Sequence, residues 1–143
     1  MTAARLPLGT FVGARSGDKG GAANVGAWIV DPAEQAAVTL AHGGDAPLDV
    51  PAEAIALADA RYAWLLTVLT EEGVRTLLPE ARDLAIEVHP LPNLRAVNVL
   101  IHGLLGRGVA ETTRVDPQAK GLGEHLRARV VDIPVVLLDA ETT

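Results

Sequence analysis

Cysteine is absent from the 143 residues, which removes disulfides, thiolate nucleophiles and cysteine-ligated zinc or iron–sulfur sites. A secreted scaffold built on disulfides is excluded. Aromatic side chains are scarce, with one Phe, one Tyr and two Trp, so single-stranded nucleic acid would find few platforms on which to stack its bases. Basic residues are in deficit: 12 Lys and Arg stand against 18 Asp and Glu, a formal net charge of -6. A phosphate-tracking surface needs clustered cations, and here they are scattered, so no nucleic-acid partner is expected. Ser16 is the only serine and lies outside a GxSxG elbow, which leaves no readable Ser-His-Asp arrangement.

Long apolar runs are missing as well. No stretch approaches the roughly 18 apolar residues of a membrane span, and Met1–Thr10 holds one Arg and no hydrophobic core of signal-peptide length. A cytoplasmic protein without membrane association is expected. What the chain does have is 49% hydrophobic residues, mostly Ala, Val, Leu and Ile, enough for one core in a single domain spanning residues 1–143.

Along the chain, Leu8–Ala14 and Asn24–Asp31 read as short buried strands, joined by the glycine-rich RSGDKGGAA. Asp31–Pro51 carries loop signals around HGGDAPLD. From Pro51 a run of strong helix formers, with Glu53 in its first turn, predicts a long helix that Gly73 divides in two. Leu84–His89 alternates as a half-buried strand that PLPN interrupts. Leu94–Leu105 fits either a helix or a strand, with Asn98 and His102 four residues apart on one face. Val109–Asp116 reads as a strand, Pro117–Arg129 as a helix capped by Asp116, and Val130–Leu138 as an edge strand. Strands and helices mix without strict alternation, which favours an α+β sandwich: helices on one face of a mainly antiparallel sheet.

Two constellations can carry chemistry. In Arg15–Asn24 the glycines can free backbone N–H groups, and Arg15 and Lys19 can hold a phosphate or carboxylate. The spacing is neither that of a Walker A loop nor GxGxxG. A structural turn in which Asp18 pairs with Lys19 or Arg15 explains the same residues. The second set is Asn93, Asn98, His102 and Arg107, then Asp116, Gln118 and Lys120. Asn98, if buried, requires a polar network, which either grips a ligand or ties loop to helix. His102 is a general-base candidate or a core or interface histidine. His42, His89 and His125 lack metal-ligand spacing, and no metal is expected. Lys120, Arg127, Arg129 and Glu124 read as a solvated helix face.

The stretch ARSGDKGGAANVGAWI (residues 14–29) and the stretch LPNLRAVNVLIHGLLGRGVAETTRVDPQAKGLGEHL (residues 91–126) together resemble the C-terminal domain of the acyclic terpene utilisation protein A (AtuA) family. The matching positions are Arg15, Ser16, Gly17, Asp18, Lys19, Gly20 and Asn24, then Asn93, Asn98, Gly108, Asp116, Gln118 and Lys120. The chain departs from the family in having Gly106-Arg107-Gly108 where members carry two or three glycines, and Ala119 where members carry Gly before the lysine.

The resemblance implies a ferredoxin-like α+β fold and a setting in acyclic terpene or branched acyl-CoA catabolism. It implies a small subunit of an enzyme complex, with the larger N-terminal-type partner on a separate polypeptide, and those positions forming a shared ligand or intersubunit site. No cofactor is expected, an acyl-coenzyme A thioester entering only as substrate. Two other readings stay open: a non-catalytic assembly module, and an independent, self-associating small enzyme using Lys19 with Asp18 as an acid–base pair.

Overall fold

A computed structural model describes residues 2–30, 52–105 and 119–138. Six strands and three helices follow in chain order: β1 (Ala3–Pro7), β2 (Val12–Lys19), β3 (Ala22–Ile29), α1 (Ala52–Val68), α2 (Glu71–Leu77), β4 (Ile86–Leu91), β5 (Ala96–Ile101), α3 (Leu122–Ala128) and β6 (Val130–Pro134). β2, β3, β5 and β4 form, in that spatial order, an antiparallel four-stranded sheet. β1 pairs with β6 in a separate two-stranded sheet. The architecture is the α+β, ferredoxin-like sandwich expected.

Alternation decides which face of the main sheet is covered. In β3 and β5 every second residue is buried: Ala23, Val25, Ala27 and Ile29, then Val97, Val99 and Ile101. These meet Ala58, Tyr62, Leu65 and Leu69 from the α1 region, Val74 and Leu78 around α2, and Leu122 and Leu126 of α3 in one apolar cluster. No polar or charged residue is buried among those described, so the core gains from apolar burial without a polar desolvation penalty. The opposite face presents Gly13, Arg15, Gly17 and Lys19 on β2; Asn24, Gly26 and Trp28 on β3; Ala96, Asn98 and Leu100 on β5; and Glu87, His89 and Leu91 on β4.

Several expected boundaries move. Leu8–Thr10 is a 3-10 turn rather than strand, and β2 begins at Val12 and runs through Lys19. RSGDKG is therefore mostly strand: the turn shrinks to Gly20-Gly21, where Gly20 takes φ +64, as a tight hairpin needs. As an edge strand with an open side, β2 accommodates Arg15, Asp18 and Lys19 in positions that a central strand would bury.

The long helix does divide, but at Leu69–Thr70. Thr70 caps α2 by accepting from Gly73 N–H at 3.0 Å. Gly73 is needed just inside, since a Cβ there would lie 1.9 Å from the Val68 carbonyl oxygen. β4 continues through Pro90 to Leu91, because an edge strand has no partner on its outer side to miss the proline N–H.

β5 resolves the ambiguous run as a strand. α3 begins at Leu122, five residues beyond the expected Pro117, and β6 pairs with β1 instead of extending the main sheet. The connection Asp31–Pro51, the strand Val109–Asp116 and the Asp116 cap lie outside the described residues. No helix among those described is long and apolar enough to cross a membrane.

Candidate functional site

Strand alternation splits the first constellation. Arg15, Gly17 and Lys19 belong to the open face of the sheet, Ser16 and Asp18 to the helix side. Asp18 and Lys19 are both exposed, and neither forms a hydrogen bond or ion pair among the described residues. The structural turn with Asp18 paired to a neighbouring cation is thus not what forms. An Asp18–Lys19 acid–base couple is opposed by the same geometry, which aims the two side chains to opposite faces.

Ser16 faces α3. Its Oγ accepts the backbone N–H of Gly123 at 2.7 Å, tying positions 107 apart in the chain. Helix and strand approach closely enough that a Cβ on Gly123 would stand 3.3 Å from the backbone of Ala14 and Arg15. Arg127 reinforces the junction by donating Nε–H to the Val12 carbonyl at 2.9 Å, while its Nη1 meets Glu124 at 3.0 Å. Arg129 donates to the Leu77 carbonyl at 2.7 Å. The expected solvated helix face is in part a set of ties between α3 and its neighbours.

Beside the junction lies an open groove of about 620 Å³, lined by Ala14, Arg15, Ser16, Lys120, Gly123 and Glu124. Arg15 and Ser16 of the first stretch thus meet Lys120 of the second. A serine hydroxyl that accepts from a backbone N–H retains its own proton to donate. The Lys120 ammonium and the Ser16 hydroxyl suit a carboxylate or phosphate oxygen; Arg15 adjoins them from the edge strand, and the Glu124 carboxylate in the same lining is held by Arg127.

Ala119, immediately before Lys120, is fully buried with φ +55. That is the left-handed region in which glycine is at ease, the residue that the resemblance places there.

Asn24 and Asn98 lie away from this groove, on the open face. Asn98 is half-buried, opposite Gly26 on one side and His89 on the other, so it is not sunk in a core network. Asn24 Oδ1 is shielded from solvent and has no hydrogen-bond partner. Asn93 is exposed in the 3-10 turn Pro92–Leu94, just before the strand that carries Asn98. Asp116, Gln118, Arg107 and Gly108 lie outside the described residues.

The open face also holds a cluster that sequence reasoning missed. Glu87 is hydrogen-bonded to His102 Nε2 and lies 3.3 Å from His89 Nε2. The His102 hydrogen bond, against a smaller opposing effect of desolvation and with help from both imidazolium charges, holds the Glu87 carboxyl below the usual glutamate range. The signal was present as Glu87-x-His89, two residues on one face of an alternating strand. No group of three or more ligand-type side chains among the described residues has a geometry that could hold a metal ion.

Comparison with known proteins returns one finding. The family model described as the AtuA ferredoxin-like domain matches residues 33–132, which takes in the whole of the second stretch and begins after the first. Neither the curated proteins nor the solved structures yield a match. With well over half of its length matched by that model, the chain belongs to the AtuA ferredoxin-like domain family.

Proposed function

We propose that the protein is a small subunit or accessory domain of an AtuA-type enzyme acting on acyl-coenzyme A or branched and terpenoid carboxylate metabolites. The groove between β2 and α3 takes the anionic part of the ligand. The observation that carries this reading is the convergence of Arg15, Ser16 and Lys120 on one groove from two distant stretches of chain. Arg15 and Lys120 supply charge, and the Ser16 hydroxyl supplies a directed donor. The domain binds and orients, and a larger partner subunit completes the reacting groups.

Lys19 and Asp18 are exposed and without a partner among the described residues, but they lie outside the lining of the β2–α3 groove. The assembly reading keeps one observation of its own, the apolar turn Pro90–Leu94, where Leu94 is 69% exposed.

The test is isolation of the complex from its native lysate, followed by turnover assays with Arg15→Ala and Lys120→Ala chains. Turnover lost with the complex still assembled supports the groove. Unchanged turnover in both variants refutes it.

A further inference from the structure

Glu124 stands between two hollows on the surface beside α3. It lines the β2–α3 groove with Ser16 and Lys120, and it also lines a smaller hollow of about 340 Å³ at the 3-10 turn, with Pro7, Thr10 and Arg127. Arg127 lines the smaller hollow and not the groove.

The Glu124 carboxylate is the one negative group in the lining of a groove that otherwise suits an anion. Left to itself there, it would pair with the Lys120 ammonium or repel the incoming charge. Either event works against binding.

Arg127 acts on Glu124 through the place where it is fixed. Its Nη1 lies 3.1 and 3.0 Å from the two Glu124 carboxylate oxygens, at the (i, i+3) spacing of neighbours on a helix surface. The arginine is itself anchored outside the helix. Its Nε–H donates to the Val12 carbonyl at 2.9 Å, and its side chain passes Gly9, where a Cβ would stand 3.1 Å from Arg127 Cβ and 3.2 Å from Nε.

Exposure shows which of the two partners is free to move. The Glu124 side chain is 70% exposed and that of Arg127 35%, so the arginine is the fixed post and the glutamate is drawn to it, toward the Thr10 side. An exposed ion pair contributes little to stability. The consequence of this one lies in where it leaves the carboxylate.

We infer that Arg127 is a positioning residue for the β2–α3 groove: it holds Glu124 aside, so that Lys120 and Ser16 meet the carboxylate or phosphate of a ligand without an internal competitor. This rests on the reading of the groove as an anion site proposed above.

Isothermal titration calorimetry with isovaleryl-coenzyme A tests it on the wild-type chain, Arg127→Gln, Glu124→Gln and the double variant. Arg127→Gln should weaken binding about fivefold, the scale of one exposed ion pair. Glu124→Gln should tighten it about twofold or more, because the competing charge is gone. The double variant should bind as Glu124→Gln does, since no carboxylate remains to be held.

That recovery is the readout a merely structural role would not give. Arg127→Gln also loses the tie to Val12 and one positive charge, and a groove weakened by either loss stays weak in the double variant. Urea unfolding midpoints of the four chains separate lost folding from lost binding. Where Arg127→Gln does not fold, Glu124→Gln decides alone, because it leaves the Val12 tie intact.

A double variant as weak as Arg127→Gln overturns the inference while the groove reading stands. So does an Arg127→Gln chain that binds as tightly as wild type, or a Glu124→Gln chain that binds no more tightly. A wild-type chain that binds no isovaleryl-coenzyme A removes the groove reading, and the inference with it.

Discussion

The Ser16 Oγ accepts the Gly123 backbone N–H at 2.7 Å, and this one bond joins the edge strand that carries the first motif to the helix that follows the second. Gly123 permits it by lacking a side chain where the helix meets the backbone of Ala14 and Arg15. Ser16→Ala leaves that N–H without its acceptor at a partly buried site, a cost of about 1 kcal/mol. The expected result in urea unfolding is a lower midpoint at unchanged m-value, with faster hydrogen exchange at Gly123. Wild-type exchange at Gly123 would contradict the tie.

Gly73→Ala should be far more damaging than its position in a short helix suggests. A Cβ 1.9 Å from the Val68 carbonyl forces the α1–α2 junction apart, at a cost of about 1–3 kcal/mol or more. Thr70→Ala, which only removes the cap accepting from Gly73 N–H, should cost about 1 kcal/mol. Thermal denaturation of the two variants checks the order, and a Gly73→Ala chain as stable as wild type would refute the close approach.

Ala119→Gly tests the left-handed residue before Lys120. Relief of about 1–2 kcal/mol of backbone strain is set against about 0.8 kcal/mol for the lost buried methyl and about 0.4–1 kcal/mol for a freer unfolded chain. The change should therefore leave stability within about 1 kcal/mol of wild type. Ala119→Val, a β-branched side chain at φ +55 in a fully buried position, should instead unfold at markedly lower denaturant. Equal stability of the two variants would contradict the assigned conformation.

Glu87 should titrate below the ordinary glutamate range, because His102 and His89 favour its charged form. A carboxyl whose pKa is depressed on folding adds stability above its unfolded pKa and loses that contribution as pH falls through the folded value. Carbon-detected NMR of the Glu87 side chain reads the midpoint, and 0.5 M salt should move it back toward the ordinary value. A midpoint at or above the ordinary value would show that the histidines do not engage it.

Much of this was legible in the sequence. The mixture of strand and helix signals without strict alternation points to the α+β class, and the strand read at Asn24–Asp31 and the helix formers of α1 survive almost unchanged. RSGDKG misled because polar residues between glycines look like a loop, whereas an edge strand with one open face tolerates Arg15 and Lys19 in alternate positions. Pro90 misled for a related reason, since only an inner strand would miss its N–H. The groove was beyond reading because Ser16 and Lys120 are brought together by the packing of α3 on β2, which no local pattern encodes. Glu87-x-His89 was visible, but His102 joins it only through the β4–β5 register.

The most direct test of the groove is a titration of the ¹⁵N-labelled protein with isovaleryl-coenzyme A, followed by amide chemical shifts. Saturable shifts concentrated at Arg15, Ser16, Lys120 and Gly123, and lost in Arg15→Ala, are the predicted result. No shifts at millimolar ligand, or shifts confined to other surfaces, would contradict the assignment of the β2–α3 groove as the ligand site.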